Sequence, residues 1–252
     1  MEAVQYRIQE KVQGSHWWYA GRRRLLHDVL SALMKERGGA AFESACDVGC
    51  GVGTHLPVLR AFAKTITAVD TSAEALRYCR EKGYDRTLLS GVENIASVEG
   101  GGRADLVLAM DVLEHLPDDL PGARALYEIL KPGGFLVATV PAFPVLWGLQ
   151  DEVSRHYRRY RMPDFVSLLE KTGFLVEEKY YFNSFLFPPI LAARMLMRLW
   201  RPSGVQSENE INSPLANAAL KKIFMAEIAL LRMGLRLPFG VSAFALARKP
   251  LS

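Results

Sequence analysis

Asp47-Val48-Gly49-Cys50-Gly51-Val52-Gly53-Thr54 follows directly on a short apolar run at residues 45–48, and its reading decides how the rest of the chain is read. Glycines at alternate positions let the backbone turn tightly and approach a ligand that would clash with Cβ atoms. The helix expected next, to about Phe62, points its free N–H groups at that ligand. Seventeen residues beyond Gly53, Asp70 closes a second apolar run in Ala68-Val69-Asp70-Thr71-Ser72, where a carboxylate can accept both hydroxyls of a ribose. A lone glycine turn says little. Strand, G-x-G-x-G, helix, strand and acid in that order specify a nucleoside-bearing ligand.

Outward from this turn, strands and helices alternate. Strands are expected at residues 45–48, 65–69, 86–89, 105–110, 135–140, 174–182 and 241–248. The run at 105–110 is continuously apolar, as in a strand buried on both faces. Helices are expected at 72–82, with Ser72 as N-cap and Gly83 as stop, at 122–130, and at 163–172, with Pro163 in its first turn. The first 38 residues read as one helix with an apolar stripe at Leu25, Leu26, Val29, Leu30 and Leu33, ended by Gly38-Gly39. This alternation predicts an α/β fold: a seven-stranded, mostly parallel sheet with helices on both faces. Almost 60 apolar, helical residues interrupt it before the last strand. The expected division is a helical lid at 1–39, a cofactor-binding core at 40–183, a helical insertion at 184–240 and a final strand and tail at 241–252.

A dinucleotide-binding fold has G-x-G-x-x-G, whereas this turn is G-x-G-x-G with Asp47 two positions before its first glycine. Such an acid suits the ammonium group of a methionine moiety better than a pyrophosphate. At this point the sequence resembles the Rossmann-like class I S-adenosylmethionine-dependent methyltransferases, over about residues 40–183 and the last strand. The resemblance implies S-adenosyl-L-methionine as cofactor, with Asp47, Gly49, Cys50, Gly51 and Gly53 in its first motif and Asp70 and Thr71 at the ribose. It places Val92 and Glu93 of Ser90-Gly91-Val92-Glu93-Asn94 near adenine. Met110 and Asp111 open the stretch Asp111-Val112-Leu113-Glu114-His115-Leu116 that matches the segment after the fourth strand. Many relatives carry Asp where this chain has Val92.

Methyl transfer is an in-line displacement for which the protein chiefly supplies alignment and a dry site. A base is needed when the nucleophile is a hydroxyl, and histidine titrates in the useful range. His115 follows the fourth strand at its ligand-binding edge, and His156 lies in the polar loop after the fifth, where an acceptor enters. Both are candidates. His27 and His55 fall in helices. Arg155, Arg158 and Arg159 flank His156 and suit phosphate or carboxylate. His16-Trp17-Trp18-Tyr19 with Arg22-Arg23-Arg24, together with His156-Tyr157-Arg158-Arg159-Tyr160, is similar to a bacterial subset associated with envelope glycan and lipid pathways. Trp17, Trp18 and Tyr19 read either as a cover for cofactor and acceptor or as a staple between the first helix and the sheet.

Net charge is +4, made up of −2 over residues 1–150 and +6 over 151–252. The small excess, without an Asn/Asp-Pro-Pro-aromatic motif, argues against nucleic acid. Three cysteines at Cys46, Cys50 and Cys79, with no Cys/His pair at ligand spacing, predict neither a disulfide framework nor a metal site. The first residues lack the apolar core of a signal peptide, and no run is long enough to span a bilayer, so a cytoplasmic protein is expected. Within the insertion, residues 185–200 (FLFPPILAARMLMRLW) and 221–237 (KKIFMAEIALLRMGLRL) combine apolar bulk with basic edges. They fit helices lying on the inner face of the cytoplasmic membrane, a homodimer interface or cap over a greasy acceptor, or ordinary core. The reading as a whole is methyl transfer to a small-molecule or lipid-linked acceptor, at oxygen rather than nitrogen. Its alternatives are a non-catalytic cofactor-binding protein and an NAD-dependent oxidoreductase.

Overall fold

The structure is a computed structural model that describes residues 3–98, 103–199 and 213–251. Among these, seven strands form one sheet: β1 (Phe42–Val48), β2 (Ala63–Asp70), β3 (Arg86–Leu89), β4 (Ala104–Met110), β5 (Leu130–Pro141), β6 (Leu175–Phe182) and β7 (Ser242–Arg248). Their order is β3-β2-β1-β4-β5-β7-β6, parallel from β3 to β5, with β7 antiparallel to both β5 and β6. All seven expected strands are present. The strand order reverses between β1 and β4, which opens a crevice beyond their carboxyl ends.

Side chains alternate between two cores, as the pleat requires. Leu106, Leu108 and Met110 face one layer, built with α2 (Trp17–Glu36), α3 (Leu56–Leu59), α4 (Ala73–Lys82) and α9 (Pro214–Arg232). Val107 and Ala109 face the other, against α5 (Asp119–Glu128) and α7 (Met162–Lys171). Burial on both faces explains why β4 reads as an unbroken apolar run. Ser72 caps α4 by accepting from the Ala75 amide, and Gly83 stops it at φ 94°, as expected.

Three helix expectations need correction. The first 38 residues form two helices, α1 (Ala3–Val12) and α2, because the chain turns at residues 13–15 and His16 becomes a new N-cap, accepting from the Trp18 amide. The helix after the glycine turn is only the four residues of α3, since residues 51–55 remain in turns and Pro57 sits in its first turn. The helix before β5 starts three residues early, at Asp119, where Asp118 caps it through the Leu120 amide.

The insertion contributes α8 (Phe187–Leu199) and α9. One face of α9 is core: Phe224, Ile228 and Leu231 are buried, and the Phe224 ring sits where a Cβ on Gly21 would be, so α2 and α9 meet closely. Glu227 is buried but satisfied, accepting from the Ser184 and Phe185 amides. Met195 and Leu196 of α8 and Leu215 and Ile223 of α9 stay exposed. Trp200 and Arg201 lie outside the described residues, as does the side chain of Arg198. No described helix is long and apolar enough to cross a membrane.

Candidate active site

A cavity of about 330 Å³ opens at the carboxyl ends of β1, β4 and β5. The glycine turn contributes Gly49, Cys50 and Gly51, and the end of β4 contributes Met110 and Asp111. Gly49 has φ +66° and Gly51 φ +52°, a region that favours glycine, and a Cβ on Gly49 would fall 2.6 Å from Val112. This cradle leaves room for a ligand to approach the backbone closely.

Asp111 is a non-glycine residue at φ 62°, held there from two sides. Thr139 Oγ1 donates to it at 3.1 Å, and Arg22 of α2 pairs with its other carboxylate oxygen while also donating to Thr139 at 2.9 Å. Arg22 is 4% exposed, and burial lowers its pKa to about 10 against the charge of Glu114. Arg22 appears in the sequence only within an arginine run. The available signal is its place three residues before Leu25, on the apolar stripe of its helix.

Several expected cofactor residues lie elsewhere. Asp47 is fully buried behind the turn, accepting from the Tyr84 hydroxyl at 2.6 Å and facing His55 Nδ1 at 3.2 Å. It supports the turn from within, and its hydrogen bonds run to Tyr84 and His55. Asp70 accepts from the amides of Gly51 and Ser72, each at 2.9 Å, and from the Tyr6 hydroxyl of α1. Gly53, at φ +79°, packs toward Tyr84 and Cys79. Val92 is part of the core, whereas Thr71 and Glu93 are exposed. None of these six lines the cavity, whose walls hold Gly49, Cys50, Gly51, Met110 and Asp111 of the expected set.

His115 and His156 both line the cavity, with ring centroids 4.7 Å apart. His156 Nδ1 lies 2.9 Å from Oδ1 of fully buried Asp151, which also accepts from Arg159 Nε at 2.8 Å and from the Gly148 amide. Burial pushes the Asp151 carboxyl up, but these partners outweigh it and hold it below the ordinary carboxylate range. Burial and the neighbouring His156 lower His115 to about 4, leaving a neutral ring at pH 7. Glu114 is fully buried, and burial raises it to about 8 against Arg22 and Arg159. Arg159 lines the cavity. Arg158 turns away to Asp119 and the carbonyl of Leu116, and Arg155 does not line it.

Trp17, Trp18 and Tyr19 all reach the cavity wall. Trp18 also stacks against both Phe182 and Phe224, whose own centroids are 6.1 Å apart, so it staples α2 to β6 and α9 while facing the cavity. Asp151, Gln150, Asn183 and Glu114 are additions that sequence reasoning did not single out as site residues. Among the described residues, buried polar atoms without a hydrogen-bond partner include Gln9 Oε1, Trp17 Nε1, Gln150 Oε1, Asn183 Oδ1 and both oxygens of Glu114, and all of these residues line this cavity. Clustering of such atoms marks a site built for a polar ligand.

Residues 17–179 match the family described as methyltransferase domain. The chain belongs to the class I S-adenosylmethionine-dependent methyltransferases. A ubiquinone biosynthesis O-methyltransferase of Vibrio parahaemolyticus is 30% identical over 129 residues, covering 48% of this chain and 55% of that enzyme. The chain thus matches little more than half the length of such curated relatives. A SAM-dependent methyltransferase from Archaeoglobus fulgidus has a TM-score of 0.57 at 17% identity, covering 97% of this chain and 99% of that one. The N-methyltransferase NodS from Bradyrhizobium japonicum WM9, in complex with S-adenosyl-L-homocysteine, has a TM-score of 0.52 at 15% identity, covering 90% and 87%. At these identities the two structures speak to the fold. The cofactor of this methyltransferase is S-adenosylmethionine, as the glycine turn implies.

Proposed function

We propose that this methyltransferase moves a methyl group to a hydroxyl of a small or lipid-linked acceptor, of the envelope glycan or glycolipid class, with His156 as the base. The observation that carries this is the buried Asp151 carboxylate 2.9 Å from His156 Nδ1, with the ring at the cavity wall. The carboxylate fixes the proton on Nδ1 and leaves Nε2 as the basic nitrogen. S-adenosylmethionine supplies a methyl group already activated by its sulfonium. The residues do the rest. His156 takes the hydroxyl proton at Nε2 as the oxygen attacks the methyl carbon and the carbon–sulfur bond breaks to release the neutral thioether, and Asp151 stabilises the resulting imidazolium. The aromatic wall of Trp17, Trp18 and Tyr19 excludes water.

Two features support a hydroxyl-rich acceptor. Gln150 Oε1 and Asn183 Oδ1 are acceptors awaiting donors, which hydroxyl groups supply. The O-methyltransferases among the relatives favour oxygen over nitrogen. For the lipid, α8 and α9 expose apolar side chains beside Lys221, Lys222 and Arg232, a combination that suits an anionic bilayer surface. In this reading residues 40–183 form the cofactor-binding core, 184–240 the acceptor-collecting insertion, and α1 with the start of α2 the cover. The test is transfer of labelled methyl from S-adenosylmethionine to a panel of polyprenyl-linked sugars, free sugars and quinol precursors. Label is expected on a hydroxyl, with turnover about 10²-fold lower in His156→Ala. A wild-type rate in that variant would remove His156 from the mechanism and promote His115.

A further inference from the structure

We infer that Glu114, His115 and His156 form a binding site for one divalent transition-metal ion, with Zn²⁺ its simplest occupant, at the acceptor end of the cavity. Each of the three offers a ligand atom, and these atoms all lie within 4.8 Å of one another. The residues come from two segments. Glu114 and His115 follow β4, whereas His156 follows α6 (Leu149–Val153), and the Tyr157 amide donates to the Glu114 carbonyl at 2.7 Å, tying the segments together.

The decisive observation concerns Glu114. It is completely buried, and neither carboxylate oxygen accepts a hydrogen bond from another described residue; only its own amide approaches it. Buried polar groups are ordinarily paired, because leaving one bare costs free energy that folding rarely recovers. The neighbouring cations do not fill the gap: Arg22 is committed to Asp111 and Thr139, and Arg159 to Asp151 and the Ala142 carbonyl. One carboxylate oxygen lies within 4.8 Å of a ring nitrogen of each imidazole, and a cation among the three satisfies them together.

His156 carries the second mark of a metal ligand. Metal-bound histidines almost always direct their other ring nitrogen to a carboxylate or carbonyl, which fixes ring and tautomer. Here Asp151 does that, itself held by Arg159 and the Gly148 amide. Two imidazoles and one carboxylate are the donors of zinc and its first-row neighbours rather than of Mg²⁺ or Ca²⁺, which take mostly oxygen. Three protein ligands leave a coordination position open to the cavity, as in catalytic rather than structural sites.

The role of such an ion rests on the proposed hydroxyl methylation, although the site itself does not. An ion held by Glu114, His115 and His156 would acidify an acceptor hydroxyl at its open position, the chemistry that hydroxyl methylation needs. With the ion bound, His156 would serve as its ligand, and the proposed role as base belongs to the metal-free chain. The three cysteines are no part of this site; all are free and buried, and Cys50 and Cys79 face each other with sulfurs 3.5 Å apart.

The experiment is titration of the full chain, stripped with chelator, with Zn²⁺ by calorimetry and with Co²⁺ by visible absorption, in the absence of cofactor and acceptor. One equivalent is expected, with cobalt bands that carry no thiolate charge transfer. Glu114→Gln, His115→Ala and His156→Ala should each weaken binding at least tenfold, and Asp151→Asn by about 10–100-fold, as loss of an outer-shell partner does. Glu114→Gln nearly preserves shape, so it keeps the test clear of misfolding. Absence of stoichiometric binding, binding unchanged in these variants, or thiolate bands would overturn the site. A chain that binds cobalt as described yet methylates no hydroxyl keeps the site and removes the acceptor reading.

Discussion

The hydroxyl of Tyr6 donates to Asp70 Oδ1 at 3.2 Å, across 64 positions of chain. The same carboxylate holds the Gly51 and Ser72 amides, and among the described residues Tyr6 brings it a contact from α1. Helix α1 is fastened over this spot by further bonds, with Gln13 accepting from Thr54 and Glu10 pairing with Lys82. A ribose at Asp70 must therefore displace the phenol. Tyr6→Phe should tighten S-adenosylmethionine by about two- to tenfold, the worth of one ordinary hydrogen bond. Asp70→Ala should weaken it by a few kcal/mol, from roughly 1.5–3 for each bond to a charged acceptor. Calorimetry on both variants checks this, and unchanged affinity in Asp70→Ala would place the ribose elsewhere.

Asp151 is completely buried and serves His156, Arg159 and Gly148 together. Asp151→Asn keeps the shape but presents an amide where the imidazole needs an acceptor. Turnover should fall by about 10²-fold with little change in KM, since the loss concerns the proton rather than the binding surface. A drop confined to KM would make Asp151 a scaffold for the loop alone.

Arg22 and Asp111 form an ion pair whose arginine is almost wholly buried. Removing one partner of such a pair typically costs about 3–5 kcal/mol, because the other charge is left uncompensated. Here the figure is an upper bound, since the Asp111 side chain is 29% exposed. Arg22→Met should lower stability by a large part of that amount in urea unfolding. The double variant Arg22→Met/Asp111→Asn should regain some of it. Strict additivity of the two single changes would mean the residues act independently.

Exposed Met195, Leu196, Leu215 and Ile223 share the insertion with Lys221, Lys222, Arg232 and Arg236. Each basic residue near an anionic surface is worth about 1 kcal/mol, so vesicle binding should weaken with salt while the apolar contact leaves a salt-resistant remainder. Co-sedimentation with anionic and neutral vesicles across a salt series measures both parts. Protein that stays in the supernatant at low salt and runs as a dimer burying these segments would make the insertion a subunit interface.

The elements legible in the sequence were those whose cause is local. The central strands show as apolar runs, α4 through Ser72 and Gly83, and the glycine turn through its spacing. The break at residues 13–15 was not legible, because the apolar stripe of α2 hides the turn before it. The two histidines at the cavity were legible as candidates, since open α/β sheets bind ligands beyond their strand ends. Their partners were not: Asp151 looks like one more acid in a polar loop, and Glu114 like a residue beside a histidine.

The sequence by itself determined the sheet, the cofactor turn and the family, because each depends on residues close together in the chain and on periodicities of two and 3.6. Only the tertiary structure decided what each charged group does. Asp47 turns inward to Tyr84, Asp70 meets Tyr6, Arg22 reaches Asp111, and Asp151 takes His156 while Glu114 remains bare. A buried charge is governed by whichever donors the fold brings within about 3 Å, and those donors come from segments that no local pattern connects.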